Sequence, residues 1–194
     1  MNEQIPEPLS HAALQQILDE HALYINSGGL QGQPADLSLY SIEDFNFSEL
    51  NLSGVTAQST LCFRCKFVNT DLSGANFDRT IAPGADFRGA NLVKAQFYMA
   101  DLREACFDTA NLTRSEFIKS NLRSASLREA NLRAASISES DLNQAIFDGA
   151  NIEWTSFRDN QDEGASWQDT KGLTEEAKIQ QSGAEGDESI GTTG

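Results

Sequence analysis

A chain of 194 residues suggests one domain, or one domain with tails, and 29 acidic against 14 basic side chains give it a formal net charge of −15. That balance argues against nonspecific attraction to DNA, RNA or an anionic membrane, and no apolar run approaches the roughly 18 residues that span a bilayer. The opening MNEQIPEPLS has neither a positive n-region nor an apolar core, so no secretory signal is expected. Three cysteines make no disulfide framework at this length, which leaves a reducing cytoplasm as the expected compartment.

The first predicted element is a helix over residues 9 to 27, within a leader spanning 1–34. Ser10 can cap it, and Leu9 with Leu14 has the spacing of a hydrophobic staple. Leu14, Ile17, Leu18, His21 and Ile25 share one face at helical spacing, and Gly28 and Gly29 stop the helix.

From Ala35 to Asp159 the register never slips over 25 consecutive five-residue blocks. The middle of each block is Leu, Ile or Phe in 22 cases, the others being Ala57, Cys62 and Ala82. Two residues earlier the chain is small: Ala75, Ala85, Ala90, Ala95, Ala100, Ala105, Ala110, then Ser115 and Ser120. Tyr40, Phe45 and Leu50 break that rule early, which suits a first coil with a helix docked on it. A second period lies inside the first. Asn precedes the middle at 51, 91, 111, 131 and 151 and Asp at 71, a spacing of 20. Leu52, Leu72, Leu92, Leu112, Leu132 and Ile152 form one column; Phe47, Phe67, Phe87, Phe107, Leu127 and Phe147 form another. Four blocks per turn make a four-sided coil, with each middle pointing inward and stacking on its equivalent about 4.8 Å away along the axis.

The blocks ADFRG, ANLVK, ADLRE and ANLTR match the A(D/N)LXX pattern, and the chain resembles the pentapeptide-repeat family over about two thirds of its length. The resemblance implies an all-β, right-handed quadrilateral parallel β-helix of about six coils over 35–169. HALYINSGGLQGQPADLS also resembles the leader that precedes the repeats in some members, with Tyr24 where Trp is expected.

Beyond the regular blocks, Asp162 interrupts the middle column and Trp167 resumes it. Trp154, Phe157 and Trp167 are candidates for closing the last coil or for a homodimer contact through that end of the rod. TKGLTEEAKIQQ is expected to add a short helix over 170–181, and 182–194 has the composition of a disordered tail.

Little of this looks catalytic. Cys62-Phe-Arg-Cys65 has a metal-like or redox-like spacing, but one cysteine holds a middle position and the other a small one, so both are expected to pack inside. His11 and His21 form no metal motif, and no carboxylate pair stands in a predicted cleft. A rod filled by its own side chains leaves no pocket, so neither catalysis nor a cofactor or metal is expected.

Two functional classes follow. The resemblance implies, for some members, DNA mimicry that binds type II topoisomerases and protects DNA gyrase from quinolones or peptide toxins. Residues 35 to 159, however, carry 17 acidic and 12 basic residues, a net of −5, which makes a poor phosphate mimic. The favoured class is a protein-binding scaffold or adaptor with a partner of unknown identity, binding neither nucleic acid nor membrane directly. Outward Leu61, Phe63, Ile81 and Pro83 mark one side for that contact, and Tyr98, Met99 and Ile118 extend it on the next. The competing expectation is that the leader helix folds back over this side.

Overall fold

The computed structural model describes residues 6–172. The helix and tail expected over 170–194 lie almost wholly outside them. The described chain is a right-handed quadrilateral parallel β-helix of about six turns with one N-terminal helix. Two elements open it: β1 (Glu7–Pro8) and α1 (His11–Asn26). Ser10 caps α1 by accepting a hydrogen bond from the Ala13 amide at 3.2 Å, and the left-handed Gly28 and Gly29 turn the chain out of it. Leu14, Leu18 and His21 are the buried side of α1; Leu9 and Ile17 pack half-buried beside them.

The coils are then built block by block. Short parallel strands form where three residues pair: β2 (Tyr40–Glu43) with β3 (Leu61–Phe63) on one wall, and β4 (Gln96–Tyr98), β5 (Glu116–Ile118), β6 (Ser136–Ser138) and β7 (Ser156–Arg158) on another. Elsewhere single parallel bridges join residue i to i+20, as in Asn51 with Asp71 or Asn91 with Asn111. β1 extends the first sheet by pairing Glu7 with Tyr40 and Pro8 with Ser41.

Each side chain type has a reason for its place in the block. The Asp or Asn before the middle accepts the amide two residues on, as Asn51 does from Ser53 at 3.1 Å, an Asx turn that bends the corner. The last residue of the block takes positive φ, for example Gly54 at 71° and Arg114 at 59°. From Phe87 to Phe147 the middle and small positions are sealed, Leu92, Phe97, Ala105 and Ala110 all at 0% exposure. In the aromatic column, Phe67, Phe87 and Phe107 stack at 4.8 Å with nearly parallel rings. A second aromatic column, Phe77, Phe97 and Phe117, stands at right angles to it, a feature the fivefold pattern alone does not single out.

Where the small position is Thr or Ser, its hydroxyl is buried yet satisfied. Thr60 donates to the Leu37 carbonyl at 2.7 Å and Thr70 to that of Phe47 at 2.8 Å, each 23 residues back. Cys62 and Cys65 are both inside as expected, but they are more than packing residues. Their sulfurs are joined as a disulfide, because the middle position and the next small position point into the same corner of the core.

Candidate functional site

The middle positions of the rod are sealed from Phe87 to Phe147. Two grooves flank α1 instead, about 550 Å³ between the helix and Pro34, Asp36 and Tyr40, and about 320 Å³ between it and Phe45, Leu50 and Leu52. The expectation of no pocket therefore fails at the cap. No cluster of three His, Cys, Asp or Glu able to hold a metal occurs among the described residues.

The strongest surface feature is apolar. In a β-helix wall the inward middle forces its two neighbours outward, so Cys62 aims Leu61 and Phe63 at solvent and Ala82 does the same for Ile81 and Pro83. Leu61, Phe63 and Pro83 are half-buried and Ile81 is 38% exposed. The backbones of Leu61 and Ile81 are bridged, so these side chains stack on successive coils of one wall. On the neighbouring wall Tyr98 and Ile118 pair across β4 and β5, beside a depression of about 200 Å³ shared with Asp78, Gln96 and Glu116. Met99, at the corner between the walls, is 49% exposed. Two sequence-predicted groups thus share one edge of the rod. The recorded packing of α1 is against the first coil, where His11 meets Phe45 with ring centroids 5.2 Å apart.

Charges border this surface as pairs rather than as a field. Arg64 donates two hydrogen bonds to the Asp44 carboxylate at 2.6 and 2.7 Å; they hold the Asp44 carboxyl below its ordinary value and push the guanidinium up. Arg103 grips Asp101 in the same way at 2.8 and 2.6 Å. Asp86 is held low by its hydrogen bonds from Arg88.

The other predicted group is the far end. Phe157 and Trp167 are half-buried, with Trp167 stacked on Phe147 at 4.1 Å. Trp154 does not join them: it sits at a corner with φ of 60°, 74% exposed, under the Arg133 guanidinium at 4.1 Å. Sequence reasoning passed over exposed Leu23 and Leu30, at 49% and 88%; neither breaks a periodic pattern, so nothing flagged them.

A family model described as "Pentapeptide repeats" matches in eight copies, over residues 46–92, 70–108 and 125–159. The chain belongs to the pentapeptide-repeat family. Among solved structures it is similar to HetL, a pentapeptide-repeat protein involved in heterocyst differentiation regulation from the cyanobacterium Nostoc sp. strain PCC 7120. That likeness is 18% identity over 77% of this chain and 92% of that one, with a TM-score of 0.46. It is also similar to Rfr23 from the cyanobacterium Cyanothece 51142, at 19% identity over 69% of this chain and 90% of that one, TM-score 0.44. A third is a trypsin-treated form of QnrB1, a plasmid-mediated fluoroquinolone resistance protein, at 18% identity over 68% and 78%, TM-score 0.43. No curated protein matches the sequence.

Proposed function

We propose that this pentapeptide-repeat protein is a non-catalytic scaffold that holds a protein partner on the edge formed by Leu61, Phe63, Ile81, Pro83, Tyr98, Met99 and Ile118. One observation carries the reading: apolar side chains remain half-exposed on adjacent walls of a rod whose outward positions are otherwise largely polar. The core supports it. Middle positions sealed from Phe87 to Phe147 leave that stretch of the rod no interior volume for a substrate, and a stiff solenoid presents such an edge in fixed geometry. Homodimerisation through the far end, by Phe157 and Trp167, is a second contact we propose for the same rod.

DNA mimicry toward gyrase is the weaker reading. It requires rows of free carboxylates, whereas Arg64, Arg88, Arg103, Lys119, Arg128 and Arg133 each lie within 4.0 Å of an Asp or Glu. A gyrase supercoiling assay with and without a quinolone separates the two; little effect is expected at micromolar protein, and strong protection would replace the scaffold reading. The direct test of the edge is a photo-crosslinking amino acid at position 81 compared with one at exposed Arg123. Adducts formed from 81 and not from 123 support the edge, and equal or absent adducts count against it.

A further inference from the structure

The first residue of the solenoid meets its backbone hydrogen bond differently from most of the corners that follow. At corners such as Val55, Ala75 and Ala95, the amide of the small residue donates to the carbonyl three residues earlier, each at 3.0 Å. Ala35 is the first such residue. Three positions before it stands Gly32, which belongs to the leader loop and lies so close to α1 that a Cβ there would fall 2.1 Å from the Glu20 carbonyl. The Ala35 amide, in a residue 2% exposed, donates instead to Nδ1 of His21 at 2.9 Å.

This bond dictates the tautomer. With Nδ1 accepting, the imidazole proton sits on Nε2. That nitrogen is buried without a partner among the described residues, in a side chain 1% exposed. A second proton has nowhere to go: it would turn Nδ1 from acceptor to donor, facing the Ala35 N–H, and place a charge in an apolar junction. The groups around it offer no compensation. Tyr24 lies nearly parallel to the ring at 6.3 Å, Glu20 points to solvent, and Asp36 accepts the Ser38 amide at 2.9 Å. Burial lowers the imidazole pKa.

We propose that His21 is a proton-sensitive latch between the leader helix and the first coil. Neutral, it ties α1 over the end of the core, together with Leu14 and Leu18. Protonated, it loses the Ala35 bond and releases the helix, uncovering the apolar end of the first coil. The released state has an ordinary imidazole and binds one more proton below about pH 6.5. Opening therefore grows as pH falls, roughly tenfold per unit, until the lowered pKa of the docked state is reached.

The test is hydrogen exchange of the full-length protein between pH 7.5 and 5.0, corrected for intrinsic exchange, with amides of residues 90–150 as the internal reference. Protection of α1 should fall about tenfold per unit below pH 6.5 while the reference holds, and His21→Asn, which keeps an acceptor at the Nδ1 position but cannot be charged, should flatten the response. His11→Asn should leave it intact. Constant α1 protection in the wild type, or an equal fall in His21→Asn, overturns the latch. If His21→Asn fails to dock α1 even at pH 7.5, the wild-type imidazole resonance decides. Titration near 6.5 with α1 still protected overturns the latch; a depressed midpoint coincident with loss of α1 contacts supports it.

Discussion

Between Phe87 and Phe147 every middle side chain is sealed, whereas in the coil that follows, Phe157, Asp162 and Trp167 hold the same positions half-open. The backbone does not register the difference. Leu142 still donates to the Gln161 carbonyl at 2.6 Å, Phe147 to that of Ser166 at 2.8 Å, and Ile152 to that of Lys171 at 2.8 Å. Strand pairing is thus templated by the coil beneath and tolerates an irregular block, while core filling depends on each residue. Asp162 shows the consequence: burial at a middle position raises its carboxyl pKa.

The largest effect should come from the sealed region. Phe97 stacks between Phe77 and Phe117 and meets Phe87 and Phe107 edge-on. Phe97→Ala should cost about 3–5 kcal/mol in denaturant unfolding, and Phe157→Ala clearly less; equal losses would erase the contrast between the regions. Next comes overpacking. Ala110, at 0% exposure, has no room for a larger side chain, so Ala110→Leu should cost about 1–3 kcal/mol.

In the last coil the sign reverses. Asp162→Leu should stabilise by about 1 kcal/mol at pH 7, the order expected for a half-buried leucine. Because the folded-state pKa of Asp162 lies above its unfolded value, the native state holds the proton more tightly, and its contribution falls as pH rises through that window. The gain from Asp162→Leu should therefore be smaller at acid pH and level off above the raised pKa; a gain that grows on acidification would contradict the assignment. The smallest effects lie outside. Arg123→Gln should stay within about 0.5 kcal/mol. Thr113→Val should cost about 0.5–1.5 kcal/mol, because the Thr113 hydroxyl bonds Asn111 at 2.7 Å and Asn131 at 3.1 Å.

Thr113 shows where sequence reading stops. Its outward assignment follows from the fivefold register, but its part in a polar ladder running along the axis appears only once residues 18 to 20 apart are stacked. The hydroxyl bonds of Thr60 and Thr70 span 23 residues, one coil plus three, for the same reason. Register, inward columns and the cap of α1 were legible because each is a local spacing rule. The candidate edge was legible as composition, since Leu61, Phe63 and Ile81 are apolar at outward positions; its continuity across a corner needed the fold. His21 was legible as a face residue and not as an acceptor, because its donor, Ala35, is defined by the helix packing on Gly32.

The central claim, a binding edge on a self-sufficient core, is tested most directly by Phe63→Lys in the full-length protein, compared with Arg123→Gln. Lysine is the suitable replacement because Phe63 is registered beside Glu43, where an aspartate would meet a like charge. The account predicts melting temperatures within about 2–4 °C of wild type for both variants, with co-purifying partner or self-association lost only in Phe63→Lys. Every interaction surviving in Phe63→Lys, or the rod unfolding because of it, would contradict the account.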